Sequence, residues 1–354
     1  MTAAPGTIQI VPDIPSKPWK KNTMPRRVLA IRLQAMGDMV ITLPYLQHLK
    51  KMLPANSKLD LLTREEVESI PKNICLFDKV YSIGGGRDLK KQLFYTGLLL
   101  PALMMRRYDV VIDLQHNIIS RIVRQAIRPK AWSVFDRFSH IAAGESTRLT
   151  IEAIGLYKSL ADATGFKFKH EDGFADILKE NGWDGSSELV LLNPAGAFIT
   201  RNWPIENYIE FANLWLKRFP NTQFLAIGVH TIAEKALSLK KGFGNKLIDL
   251  VNKTTPVQAF GLIQKVKFVL SEDSGLMHMA WVSGIPTLAM FGSTKSYRAT
   301  PLGDHTILLH SGDLPCGNCL RETCIYEDTR CLTRYTPEFV FEKALNLTER
   351  TAAK

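Results

Sequence analysis

No Gly-x-Gly-x-x-Gly follows an apolar run in this 354-residue chain, and no Gly-Lys-Ser/Thr stands anywhere in it. The first absence weighs against a dinucleotide oxidoreductase and the second against a P-loop enzyme, because both chemistries need backbone N–H groups gathered around a phosphate in one strand–turn–helix unit. Gly84-Gly85-Gly86 lacks that context and reads as a turn. Long apolar runs are missing too. The most apolar stretch, Leu93 to Met105, is bracketed by Lys90-Lys91 and Arg106-Arg107 and falls short of the roughly 20 residues that span a bilayer. It is expected to be a buried amphipathic helix, with an interfacial membrane contact as the alternative. Residues 1–25 hold five prolines and no apolar core of a signal peptide, so they read as a flexible N-terminal arm. Cysteine is scarce and odd in number, at five. With no export signal, that points to a reducing compartment, and the expected location is cytoplasmic. No heptad or collagen period runs through the chain, and no helix-turn-helix or RNP-like segment supports a nucleic-acid partner.

What is present is basic and otherwise ordinary. Lys and Arg number 45 against 34 Asp and Glu, a formal charge of +11, with 45% hydrophobic and 22% charged residues. That charge suits nucleic acid, anionic lipid or a phosphorylated small molecule, and does not choose among them. The apolar content excludes disorder for most of the chain. Short unbroken apolar runs (Val28–Leu33, Leu59–Thr63, Lys79–Ile83, Asp109–Leu114) alternate with helical patterns, the pattern lapses around 165–188, and it restarts at Leu189–Leu192. Strands of this kind belong to parallel sheets covered on both faces. The expected class is α/β, with two Rossmann-like doubly wound domains facing a central cleft. Their expected limits are 26–175 and 189–335, with a linker over 176–188 and a C-terminal helix and tail over 336–354.

Three segments follow strands and could carry chemistry. Gln34-Ala35-Met36-Gly37-Asp38 closes the first strand; Gly37 permits positive φ or close backbone approach, and Asp38 is either a helix cap or a general base. Asp273-Ser274-Gly275-Leu276-Met277-His278 opens a helix, so the N–H groups of Ser274, Gly275 and Leu276 together with the helix dipole suit a phosphate or diphosphate. His278, four residues after Ser274, lies on the same face. Asn193-Pro194-Ala195-Gly196-Ala197 precedes Arg201-Asn202-Trp203-Pro204: Gly196 could admit a diphosphate and Arg201 neutralise it, while Trp203-Pro204 suits a helix start.

Together these segments resemble the ADP-heptose:lipopolysaccharide heptosyltransferases, glycosyltransferase family 9. The resemblance is carried by Arg27 to Pro44, by Tyr108 to Gln115, by Arg201 to Pro204, and by Asp273 to His278 followed by Gly284 to Thr294, and it spans about 26–345. It implies a GT-B fold and an inverting, metal-independent transfer from a nucleotide sugar, with no resident cofactor or metal. Asp38 would be the base. Arg201, where many members have Lys, would stabilise the leaving diphosphate; Ser274, Gly275, Leu276 and His278 would hold it, and Asp273 would touch the sugar. Glu234 is the nearest acidic candidate for the ribose. The implied partners are ADP-heptose or another nucleotide sugar, and a phosphorylated glycolipid acceptor. Beside Gly37, the acceptor side would include Arg121, Arg124 and Arg128, which recur along one helical face and suit phosphates or the anionic surface of the inner membrane, with a solvated helix face as the competing reading. Cys316, Cys319, Cys324 and Cys331 are close enough for a structural zinc site, with free or buried thiols as the competing reading.

Overall fold

Apolar runs without polar alternation need cover on both faces, and in the computed structural model of the chain they form two separate six-stranded sheets. The structure describes residues 12–156, 165–171 and 173–352. Two compact units result, Met1–Lys72 with Leu76–Ala161, and Asn73–Cys75 with Asp162–Lys354.

The first unit contains, in order, β1 (Ser16–Lys17), β2 (Arg27–Ile31), α1 (Met36–Met52), β3 (Lys58–Arg64), α2 (Ser69–Asn73), β4 (Lys79–Ile83), α3 (Leu89–Met105), β5 (Val110–Asp113), α4 (Ile118–Ile127), β6 (Ala131–Val134) and α5 (Ala143–Glu152). Its sheet runs β1-β6-β5-β2-β3-β4, parallel except at β1. Val28 of β2 pairs with Leu59 on one side and Val110 on the other. Strand order therefore reverses at β2, the switch point where such sheets place their ligands. The flexible arm expected over 1–25 is tied down where it is described. Ser16 and Lys17 pair with β6, and the Trp19 N–H donates to the Ile154 carbonyl at 2.9 Å. Residues 1–11 lie outside the described residues.

The second unit contains α6 (Phe174–Glu180), β7 (Glu188–Asn193), α7 (Ile205–Arg218), β8 (Thr222–Gly228), α8 (Ala233–Phe243), β9 (Leu247–Val251), α9 (Pro256–Ile263), β10 (Phe268–Glu272), α10 (Gly275–Val282), β11 (Thr287–Phe291), α11 (Ser296–Ala299), β12 (Thr306–His310), α12 (Arg330–Thr333) and α13 (Pro337–Ala352). All its strands are parallel, ordered β12-β11-β10-β7-β8-β9. Here the order reverses between β7 and β10. Aromatic residues fill the core: Trp215 stacks on Phe268 at 5.0 Å between centroids, and Trp203 meets Tyr208 edge-on at 5.0 Å. Truncating one such buried indole costs about 3–5 kcal/mol.

Two expected limits shift. The first unit ends near residue 161 rather than 175, and the expected linker over 176–188 contains most of α6, whose Phe174 and Leu178 are buried within the second unit. The segment 336–354, expected as a C-terminal helix and tail, contains α13, which packs on α7 and buries Val340, Ala344 and Leu347. No helix among the described residues is long and apolar enough to cross a membrane.

Candidate active site

The switch point of the first unit holds one of the segments singled out above, and that of the second unit holds two. In the first unit, the turn after β2 is pinned from β5: Gln115 Oε1 accepts the N–H groups of Leu33 and Gln34 at 2.9 and 3.1 Å. Arg32 is buried. Its guanidinium donates to the Leu114 carbonyl, lies over the Phe135 ring at 5.3 Å, and bonds Asp38 Oδ2 at 3.0 Å. Burial pulls the Arg32 guanidinium below its ordinary value, and the Asp38 carboxylate opposes that.

Asp38 lies in the first turn of α1, where Oδ2 also accepts the Ala35 N–H at 3.0 Å. The capping contact is thus made by the Asp38 side chain. One oxygen is fixed by the turn and by Arg32, and Oδ1 carries no hydrogen bond among the described residues, on a side chain 44% exposed. Gly37 is helical, so the turn makes no use of positive φ there.

Beside β5 and β6 lies a cavity of about 320 Å³, lined by Asp113, His116, Arg121, Arg124 and Trp132 among others. Arg124 stacks over Trp132 at 4.2 Å, with its Nε buried and without a hydrogen-bond partner. Burial pushes the Asp113 carboxyl up, while the N–H groups of His116 and Gln115 and the charge of Arg124 hold it back. Of the three arginines expected on one face, Arg121 and Arg124 reach this cavity. Arg128 does not: it caps α4 in a left-handed conformation and is exposed, because the helix ends there ahead of Pro129.

In the second unit, Ser274 is the N-cap of α10. Its Oγ accepts the Met277 N–H at 3.3 Å and the Asn193 amide at 2.6 Å, which joins the ends of β7 and β10. A side chain built on Gly275 would meet nothing within 4 Å, so the space over the helix start is open. Leu276 is half-buried in the same turn. His278 is buried, and its Nδ1 accepts the Trp281 indole N–H at 3.0 Å; in the neutral ring the proton is then on Nε2. Arg201 and Asp273, given separate roles by the resemblance, pair with each other here at 3.3 Å, and Thr294 Oγ1 donates to the same Asp273 oxygen at 2.8 Å. Arg201 also lies over Phe198 at 4.9 Å, with its Nε buried and unpartnered.

Two further candidates lie in these surroundings. Gly196 has a packing reason of its own: a Cβ there would stand 2.4 Å from the Arg201 carbonyl oxygen, and its N–H is taken by Glu272 at 2.6 Å. Glu234 stands exposed on the first turn of α8, while Lys235 turns inward to the Pro194 carbonyl at 2.7 Å and Asn202 Oδ1 at 2.8 Å.

Sequence reasoning missed the residue that joins these pieces. Glu272 is fully buried; Oε1 accepts the Trp203 N–H at 2.7 Å, Oε2 accepts the Gly196 N–H, and Lys235 Nζ lies 3.8 Å away. Burial raises its carboxyl to about 7 against the pull of Lys235 and the two N–H groups. Arg32 was missed likewise. The signal available for both was a charged residue at or beside the end of an apolar strand.

The four clustered cysteines carry no disulfide and line one cavity of about 340 Å³. Burial and the neighbouring Cys324 push the Cys331 thiol up. Among the described residues, no group of three or more His, Cys, Asp or Glu side chains is arranged to hold a metal ion.

Two α/β units with parallel sheets, one offering a pinned carboxylate and the other an open helix start, have the architecture of the GT-B glycosyltransferases. The family model of glycosyltransferase family 9 (heptosyltransferase) matches residues 99–330, and the chain belongs to that family. Pseudomonas aeruginosa lipopolysaccharide heptosyltransferase 1 is 24% identical over 346 residues, covering 89% of this chain and 96% of that protein. Campylobacter jejuni lipooligosaccharide heptosyltransferase 2 is 27% identical over 187 residues, a match spanning 51% of this chain and about half, 56%, of that relative. In fold the chain is similar to a family 9 glycosyl transferase from Veillonella parvula, with TM-score 0.76, 17% identity and coverage of 92% and 97%. It is also similar to Escherichia coli heptosyltransferase WaaC with ADP-2-deoxy-2-fluoro heptose, with TM-score 0.62, 20% identity and coverage of 90% and 99%.

Proposed function

We propose that this glycosyltransferase moves heptose from ADP-heptose to a lipopolysaccharide inner-core acceptor, Kdo-lipid A or a heptosyl core, with inversion, without a metal, and with release of ADP. The observation that carries the reading is Asp38, held by Arg32 and the Ala35 N–H at the switch point of the first unit with its second oxygen unengaged. In the proposed step the acceptor hydroxyl gives its proton to Asp38 and its oxygen attacks the anomeric carbon. The bond from that carbon to the diphosphate oxygen breaks, and ADP leaves with the electron pair. Arg201, the N–H groups at the start of α10 and His278 take up the charge on the diphosphate, and Asp273 addresses the sugar.

The relatives' name lipopolysaccharide heptosyltransferase 1 supports heptose and a lipopolysaccharide acceptor, and the similar WaaC structure with ADP-2-deoxy-2-fluoro heptose supports an ADP-linked donor. Arg121 and Arg124 at their cavity support an acceptor that carries phosphate. The proposal includes a cytoplasmic enzyme touching the inner membrane surface, and no nucleic-acid partner.

Asp38→Ala is expected to abolish transfer while ADP binding stays nearly intact; full activity in that variant removes Asp38 from the base role. A thermal-shift screen of ADP-heptose beside ADP-glucose, UDP-sugars and GDP-sugars tests the donor. Stabilisation by a UDP- or GDP-sugar alone would replace the heptose reading with another sugar nucleotide on the same fold.

A further inference from the structure

Helix α3 does not behave as the buried helix its composition suggests. One side packs: Thr96 and Leu103 are buried, and Leu99 and Leu100 lie against the core of the first unit. The opposite side is apolar and faces solvent. Phe94 is 64% exposed, Leu98 64% and Met105 75%, and Pro101 completes a stripe at helical spacing. Leu93 and Met104 widen it. A helix that is apolar on both sides over 93–105 yet packed on one side only has a second surface to cover.

The charges say what covers it. Lys90 and Lys91 stand exposed on the first turn, with Arg87 just before it and Arg107, also exposed, just beyond the last turn. At 17 residues the helix is about 25 Å long, too short to span a bilayer but able to lie along one. A second copy of the chain fits poorly, because cations at both ends oppose cations whether two α3 helices run parallel or antiparallel. An anionic lipid surface accepts both features: acyl chains take the stripe, and headgroups meet the cations at its ends.

We propose that the solvent-facing side of α3 docks this enzyme on an anionic membrane surface, with Phe94, Leu98 and Met105 inserted at the headgroup–acyl boundary. The proposal rests on the membrane contact included in the function above and names the element that makes it. A glycolipid acceptor embedded in a bilayer is then approached along the surface that holds it.

The test is co-sedimentation of the full chain with phosphatidylglycerol-containing vesicles and with pure phosphatidylcholine vesicles, for the parent chain and for Phe94→Glu/Leu98→Glu. Transfer is measured in parallel to acceptor embedded in vesicles and to deacylated, water-soluble acceptor. Neither position belongs to the catalytic or binding machinery, and both are exposed, so the double variant folds; its unfolding curve checks this. The parent chain is expected to bind anionic vesicles, and the variant to bind them about tenfold or more weakly, with transfer to embedded acceptor reduced in step and transfer to soluble acceptor unchanged. Equal vesicle binding by parent and variant, or binding indifferent to anionic lipid, overturns the proposal. So does a dimer in sedimentation velocity that the variant dissolves while neither form binds vesicles. Absence of transfer to either acceptor, with vesicle binding intact and lost in the variant, supports docking and counts against the transfer reading instead.

Discussion

The substitution Glu272→Gln isolates one proton in the core of the second unit. The carboxyl titrates at about 7 in the fold, against 4.5 for an ordinary glutamate. Between those values the unfolded chain has released the proton and the native state still holds it, so stability falls as pH rises through that window. The difference of about 2.5 units corresponds to roughly 3 kcal/mol lost between pH 4.5 and 8, with little further change above. The amide of the variant has no such proton. It also offers one acceptor oxygen where Glu272 offers two to the N–H groups of Gly196 and Trp203, a loss of about 1–3 kcal/mol that does not depend on pH. Urea unfolding of both proteins by tryptophan fluorescence at half-unit steps from pH 5 to 8 separates the two effects, since Trp203 and Trp215 are buried in this unit. The parent's advantage is expected to shrink by roughly 2–3 kcal/mol across the range. A constant offset between the two curves would refute the reasoning, because it would mean that Glu272 is ionised throughout despite its burial.

Two further substitutions test the parts around each switch point. Arg32→Met removes the partner that fixes Asp38 Oδ2 and is expected to lower kcat roughly 100-fold with the donor KM little changed; an unchanged kcat would show that the ion pair does not position the carboxylate. Gly292→Ala places a Cβ 1.9 Å from the Thr200 carbonyl oxygen, so the loop carrying Arg201 must shift. A loss of about 1–3 kcal/mol in urea unfolding is expected, and an unchanged midpoint would show that the loop yields freely.

The repeated strand–helix pattern was legible because parallel strands buried on both faces read as unbroken apolar runs, as in Leu189–Leu192 and Thr287–Phe291. The segments at the strand ends were legible for the same reason: once β2, β7 and β10 are placed, the residues after them fall at the switch points. The two-residue β1 could not be seen, since Ser16-Lys17 carries no pattern and exists only by pairing with β6. Arg32, Lys235 and Glu272 were hidden by distance along the chain. Arg32 meets Leu114, Glu272 meets Gly196 and Trp203, and Lys235 meets Pro194, and no local spacing encodes such contacts. The sequence offers Glu234 as the nearest acid for the ribose and gives no sign of the role of its neighbour, which helix phase sets. Ala236 and Leu239 face the core, which turns Lys235 toward the loop and leaves Glu234 outside.

In the proposed role, the Arg201–Asp273 pair gives a physical reason for an arginine at a position where the resemblance implies lysine. A lysine ammonium is a point charge, so service to a diphosphate competes directly with an ion pair to Asp273. The guanidinium divides the work. One terminal nitrogen holds Asp273 at 3.3 Å while Nε stays without a partner in the buried part of the site, and stacking on Phe198 fixes the plane. If Arg201 takes the diphosphate as proposed, it does so with a donor that is already desolvated, and Asp273 keeps both Arg201 and Thr294 while it meets the sugar. The frame for this is Glu272, whose two oxygens fasten Gly196 and Trp203 on either side of Arg201 to the end of β10. The arginine is thus placed by contacts that involve no substrate, so in the proposed step its orientation is set before any nucleotide sugar binds.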